Sequence, residues 1–238
     1  MSEHTVKSYE GELEAISTSV AQMGGVAEAL LQGAIDALQR RDSALADRMI
    51  ESDRRIDELE RVIEGQAVKI LALRQPVGVD LRLTVTALRI SNEIERIGDL
   101  AKNIAKRALV LNRENPVRLT QGLVRMGREC LSQIKAVLDA YAARNADAAM
   151  AVWRKDEEID ELYNSIFREL LTYMMEDPRT ISLATHLLFV AKNLERAGDH
   201  ATNIAEQVYY LSKGSYIGED RPKGDATSSS TVPFEPAS

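Results

Sequence analysis

The sequence is poor in the residues that build disulfide frameworks, sheets and membrane spans. It has one cysteine, Cys130, so no disulfide can form within the chain and a reducing compartment is the natural setting. Cys130 itself reads as a small buried apolar residue of a helix. Aromatic residues are only 5% of the chain, and the apolar content is mostly Ala, Leu, Ile and Val, a set suited to helix packing rather than a sheet sandwich. Strand signals are absent, with no apolar–polar alternation bounded by Asn-Gly or Asp-Gly turns. No apolar run approaches the ~18 residues of a membrane span. Met1–Glu14 mixes charges of both signs and has no apolar signal core. A cytoplasmic protein is expected, with any membrane role peripheral. Basic charge is in deficit, 30 Lys and Arg against 37 Asp and Glu, which disfavours nucleic acid and suits cations or a basic partner surface. Gly-x-Ser-x-Gly, a Cys–His pair with a rationale and a phosphate-cradling glycine loop are all missing.

What is present is helical periodicity. From Leu83, residues Ala87, Ile90, Ile94, Ile97, Ala101, Ile104, Ala108 and Leu111 follow steps of three and four without a break. Breaks fall at Arg41–Asp42, Gln75–Pro76, Asn112–Pro116, Arg144–Asn145 and Asp177–Pro178. The spacing predicts an all-α protein of six long helices, over 9–40, 42–73, 77–112, 117–143, 146–175 and 179–212. Residues 1–115 form a first three-helix bundle and 116–212 a second. Residues 213–238, rich in Gly, Ser, Thr, Pro and charge, read as a flexible tail.

The two bundles are copies. Glu95-Arg96-Ile97-Gly98-Asp99-Leu100-Ala101-Lys102-Asn103-Ile104-Ala105 matches Glu195-Arg196-Ala197-Gly198-Asp199-His200-Ala201-Thr202-Asn203-Ile204-Ala205 at eight of eleven positions, 100 residues apart. Upstream, Asp53-Arg54-Arg55-Ile56-Asp57-Glu58-Leu59 matches Asp156-Glu157-Glu158-Ile159-Asp160-Glu161-Leu162 at five of seven, 103 residues apart. Near-equal offsets define a three-helix repeat with slightly different loops.

Each copy carries Asp-x-x-x-Asp on its second helix and Glu-x-x-x-Asp on its third. Residues four apart share a helix face, with Cβ atoms ~5–6 Å apart. Carboxylates held so closely repel unless a cation or proton lies between them, and their oxygens are hard ligands for Mg, Mn, Ca, Zn or Fe. The candidate metal ligands are therefore Asp53, Asp57, Glu95 and Asp99, then Asp156, Asp160, Glu195 and Asp199. Solvated surface charge has little reason to match position by position between copies, yet these positions match better than the core pair Ile97 and Ala197. On a wheel of about 100° per residue, Glu95 and Asp99 point away from the Ile90–Ile104 seam, which places the carboxylates on an exterior face. That orientation, and the lack of any Glu-x-x-His, argues against a buried di-iron centre. Gly98 and Gly198, each costing about 1 kcal/mol in a helix, read equally as sites of close helix packing or of approach by a metal or partner. Asn103 and Asn203 extend the stripe as weak ligands, supporting hydrogen-bond partners or ordinary surface residues. No convincing general base, Arg clamp or lid accompanies the ligands; a metal-dependent hydrolase and a metal-free helical scaffold stand as the alternatives to a metal-bearing adaptor.

The Glu-Arg-x-Gly-Asp cores, the paired acidic motifs and Gln75-Pro76-Val77-Gly78-Val79-Asp80-Leu81-Arg82 together resemble the PhoU family of phosphate-uptake regulators. The last segment is similar to the family's Pro-x-x-x-Asp-Leu-Arg stretch, from which the second copy departs with Asp177-Pro178-Arg179 and Thr185-His186. The resemblance covers about residues 5–212. It implies two symmetric three-helix bundles, often dimeric, with multinuclear metal clusters at the acidic motifs and no enzymatic activity. It also implies a negative regulator that couples the ATPase subunit of a phosphate ABC transporter to a phosphate-sensor histidine kinase, reaching the membrane only through those partners.

Overall fold

A computed structural model describes residues 2–115, 119–219 and 221, with side chains from residue 8 onward. Its helices are α1 (Ser2–Arg40), α2 (Ser43–Ser52), α3 (Arg54–Arg74), α4 (Gly78–Leu111), α5 (Thr120–Ala142), α6 (Ala146–Trp153), α7 (Asp156–Glu176) and α8 (Ile181–Lys213), with a short 3-10 turn at Pro178–Thr180. The chain is all-α, two three-helix units in tandem. In each unit the second long helix is interrupted, so that α2 with α3, and α6 with α7, stand where 42–73 and 146–175 are predicted as single helices.

The interruption falls at the first carboxylate of each acidic motif. Asp53 lies between α2 and α3, and the Ile56 amide donates to the Asp53 carbonyl at 2.9 Å, a tightened three-residue turn. In the second unit the break is at Arg154–Lys155, just before Asp156; the Lys155 carbonyl accepts from the Glu158 amide at 3.1 Å and from the Gln133 side chain of α5 at 3.0 Å. Neither break contains Gly or Pro, which is why local sequence signals miss both.

Other boundaries follow local chemistry. Arg41 and Arg144 both adopt left-handed φ, 56° and 49°, a strained state for a side chain with a Cβ. Each is followed by an N-cap: Asp42 accepts from the Leu45 amide, and Asn145 from the Asp147 and Ala148 amides. Arg41 also donates to the carbonyls of Asn112 and Glu114, tying this turn to the end of α4.

Every residue of the seam from Leu83 to Leu111 is buried. Seam residues and small neighbours such as Ala105 let α4 lie at the centre, against α1 and α3 on one side and α8 on the other. The α1–α5 and α4–α8 pairings join the units around one continuous core. Cys130 is fully buried, its thiol pushed up to about 12 by burial, and it donates to the Leu194 carbonyl. No helix is long and apolar enough, among the described residues, to cross a membrane.

The flexible tail expected from 213 is in part packed. Gly214 takes φ 77° and ends α8, its amide donating to the Tyr210 carbonyl at 2.8 Å. The chain then turns back: Tyr216 stacks on Tyr210 at 4.5 Å, its hydroxyl accepts from Arg89 at 2.8 Å, and Ile217 packs against the core. Residues 222–238 lie outside the described part.

Because the caps are equivalent, Asp42→Ala and Asn145→Ala should each lower stability by about 1 kcal/mol in urea denaturation.

Candidate functional site

The α3–α4 and α7–α8 pairs approach closely because of one glycine in each. A Cβ on Gly98 would overlap Cδ1 of the fully buried Ile56 and stand 3.5 Å from a carboxylate oxygen of Asp53. A Cβ on Gly198 would stand 2.7 Å from Cδ1 of Ile159. The glycines therefore serve packing of an isoleucine from the preceding helix, and that packing brings the carboxylate at the helix break beside the Glu-x-x-x-Asp motif.

In the first unit the groove joins Asp53 to Asp99. Lys102, on the turn after Asp99, donates to Asp53 at 2.5 Å and to Asp99 at 3.3 Å. Asp53 is buried and Asp99 is half exposed. These carboxylates hold the Lys102 ammonium above its ordinary range, the hydrogen bond to Asp53 contributing most. Glu95 lies in a second, more crowded half. Burial raises its pKa, and the charges of Asp99, Glu60 and Asp57 push it further, against Arg96 at 3.7 Å. Glu60 is raised too, by burial and then by the charges of Glu64 and Asp57.

The second unit repeats this division with other residues. Asp156 and Asp199 share the guanidinium of Arg221, which donates through Nε and Nη2 to the two oxygens of Asp156 at 2.8 Å each, and through Nη2 to Asp199 at 2.5 Å. Thr202 stands where the first unit has Lys102, and its hydroxyl donates to Asp156 at 2.8 Å. Glu195 accepts from Lys192 at 2.8 Å, and Lys192 also lies over the Tyr163 ring.

The exterior face expected from the wheel needs correction. Asp53, Asp156, Asp160 and Glu195 are 4–6% exposed, while Asp57 and Glu95 are intermediate. The wheel correctly turns Glu95 and Asp99 away from the seam, but that flank faces α3, and the equivalent flank of α8 faces α7. The copies also differ, since Glu195 is buried and Glu95 is not.

Sequence reasoning also misses Lys102, Arg221, Glu60, Lys192 and Glu93. Lys102 had a signal, three residues beyond Asp99 on the same face; Arg221 had none. Glu93 on α4 accepts from His200 at 2.7 Å and Asn203 at 3.0 Å of α8. Burial pushes the Glu93 carboxyl up, but these hydrogen bonds and the His200 and Arg96 charges hold it below its ordinary range. His200 thus links the two units. Asn203 does so too and also meets Arg221, whereas Asn103 is exposed.

The donor chemistry fits a hard divalent cation: carboxylates in excess, several desolvated, with mutual repulsion that a cation would relieve. Among the described residues, however, no three Asp, Glu, His or Cys side chains converge as a metal ligand set. The space between Asp53 and Asp99, and between Asp156 and Asp199, holds an ammonium and a guanidinium. The carboxylates are donors of the kind a hard divalent cation takes, and in each pair a side-chain cation occupies that place.

Two outcomes follow. The folded protein holds the Glu95 proton more tightly than the unfolded chain, so its charge opposes folding above the raised pKa and has no effect once both states are protonated. Glu95→Gln should raise the Tm of metal-free protein near pH ~7.5 and lose that advantage below about pH 4, under the ordinary glutamate value. Gly98→Leu should cost about 1–3 kcal/mol through overpacking against Ile56, read by denaturant unfolding.

A family model described as "PhoU domain" matches residues 20–108 and 123–208, one match per unit. A phosphate-specific transport system accessory protein PhoU homolog of Caulobacter vibrioides is 53% identical over 229 residues, covering 96% of this chain and all of that protein. The crystal structure of PhoU from Pseudomonas aeruginosa superposes with a TM-score of 0.85 at 40% identity, covering 87% of this chain and all of that one. The crystal structure of the phosphate transport system regulatory protein PhoU from Streptococcus pneumoniae superposes at 0.82 with 29% identity, covering 89% and 100%. These relatives are described as an accessory protein and a regulatory protein of phosphate transport, which favours a regulatory role over the hydrolase alternative. Two matched domains, a shared fold and near-full-length identity make this chain a member of the PhoU family, an accessory and regulatory protein of phosphate transport.

Proposed function

We propose that the protein is a metal-binding negative regulator of phosphate uptake and phosphate-starvation signalling. It acts as a cytoplasmic homodimeric adaptor between the ATPase subunit of a phosphate ABC transporter and a phosphate-sensor histidine kinase. The observation that carries the metal part is the duplicated groove, in which a buried carboxylate and a more exposed one from the following helix share one cation in each unit. Asp53, Asp57, Glu95 and Asp99 would hold metal in the first unit, and Asp156, Asp160, Glu195 and Asp199 in the second. A bound divalent cation would neutralise these groups and brace each helix pair. The remaining work belongs to the chain itself, which presents rigid surfaces to two partners.

The adaptor part is supported by apolar side chains left in solvent around the α3–α4 turn. Val68, Leu73, Val77, Val79 and Leu81 are 63, 67, 79, 51 and 39% exposed. The equivalent turn of the second unit exposes Met175 and Ile181 at 65 and 50%. Gln75 and Gly78, at φ 47° and 59°, fold the first turn so that Val77 projects outward. Such clustered exposed apolar groups mark interaction surfaces.

Purified protein dialysed against Mn²⁺ should retain stoichiometric metal, and Glu95→Ala plus Asp99→Ala should lose part of it; unchanged metal content in that variant would sink the first centre. Pull-downs against the transporter ATPase and the histidine kinase should capture both. Leu73→Glu with Val77→Glu should abolish capture of at least one while leaving Tm within a few degrees. Capture of neither by the parent protein would overturn the adaptor reading.

A further inference from the structure

The two acidic grooves are built alike but neutralised by unlike means. Lys102 belongs to α4 itself, three residues from one of the carboxylates it neutralises, so it is tethered to the first groove by the helix. The same position in α8 is Thr202, which brings a hydrogen bond but no charge. A carboxylate as buried as Asp156 is costly without a cation beside it. That cation arrives from beyond the end of α8.

The route is visible. Gly214 reverses the chain in a left-handed turn where a Cβ would stand 3.3 Å from the Arg82 guanidinium. The Tyr216–Tyr210 stack and Ile217 hold the returning strand. From Lys213 back to Asp199 is about 21 Å at ~1.5 Å per helical residue, and the eight residues from 214 to 221 reach at most ~27 Å when extended. The strand is thus long enough to lay Arg221 across the groove. There its fork takes both oxygens of Asp156, one of Asp199 and, through Nη1, the Asn203 side-chain oxygen at 3.2 Å, with the side chain 17% exposed. Bidentate guanidinium–carboxylate pairing is strong and directional.

We infer that Arg221 is a built-in occupant of the second acidic centre, and that a divalent, oxygen-seeking cation must displace it, with the Gly214–Glu219 strand, to bind there. The inference rests on the metal reading above. It makes the two centres unequal. The first is closed by a residue of its own helix, the second by a strap that leaves without unwinding any helix. Cation binding at the second centre is thereby coupled to release of the strap, and the release also frees Tyr210, Arg89 and the α4–α8 edge they cover.

The test uses the full chain, stripped of metal and titrated with Mn²⁺ by calorimetry and by the EPR signal of free Mn²⁺. Arg221→Ala should bind one Mn²⁺ at least tenfold more tightly than the parent, and adding Asp156→Asn should abolish the gain. Arg221→Lys should fall between, which keeps the comparison usable if the alanine variant folds poorly. In the parent, saturating Mn²⁺ should speed amide exchange across 214–219; in Arg221→Ala that exchange should be fast without metal. Lys102→Thr should raise affinity at the first centre instead, leaving 214–219 protected in the absence of metal. If the parent binds Mn²⁺ and Arg221→Ala binds it no more tightly, or if 214–219 stays protected at saturation, the inference falls while the metal reading stands. If neither protein binds Mn²⁺, both fall.

Discussion

Taking a carboxylate out of water costs several kcal/mol unless a cation accompanies it. In this molecule Asp53, Asp156, Asp160 and Glu195 are nearly inaccessible in the grooves where consecutive helices meet. Placing charge there is what a purely structural three-helix bundle would avoid. Lys102, Arg221 and Lys192 are arranged around that constraint, and so is the hydroxyl of Thr202. Where cationic company is thin, as at Glu95 and Glu60, burial and like charge raise the carboxyl pKa instead.

The backbone prepares this arrangement. Interrupting the second helix at Asp53, and just before Asp156, puts the first carboxylate of each motif at a helix start instead of mid-helix. Gly98 and Gly198 then admit Ile56 and Ile159, which draws α3 onto α4 and α7 onto α8. Close packing of an apolar side chain and close approach of charged ones are the same event. A longer side chain at either glycine would separate the helices and dissolve the shared cation site, linking a core-packing residue to the chemistry of the groove.

Duplication preserved the scaffold and let the neutralising groups diverge. Left-handed arginines followed by N-caps recur at Arg41 and Arg144, as do the helix breaks and the glycines. The cations do not recur: an ammonium from α4 serves one unit and a guanidinium from the strand after α8 the other. Glu93, His200 and Asn203 bridge α4 and α8 between the grooves, and Asn203 also touches Arg221. A change at the second groove therefore adjoins a contact between the two units.

The sequence by itself determined the helical class, the tandem repeat and the α4 seam, because periodicity and duplication are local or self-referential properties. Every seam residue from Leu83 to Leu111 is buried as the spacing requires. It also singled out the eight carboxylates, since their positions repeat between copies. Tertiary structure alone decided their burial, because a helical wheel gives a direction but not what lies in it, and α3 and α7 lie there. It alone placed the helix breaks, which follow from packing and contain no Gly or Pro. It alone joined Arg221 to Asp156 across 65 residues of sequence, an association that depends on where the chain turns after Gly214 and leaves no periodic trace.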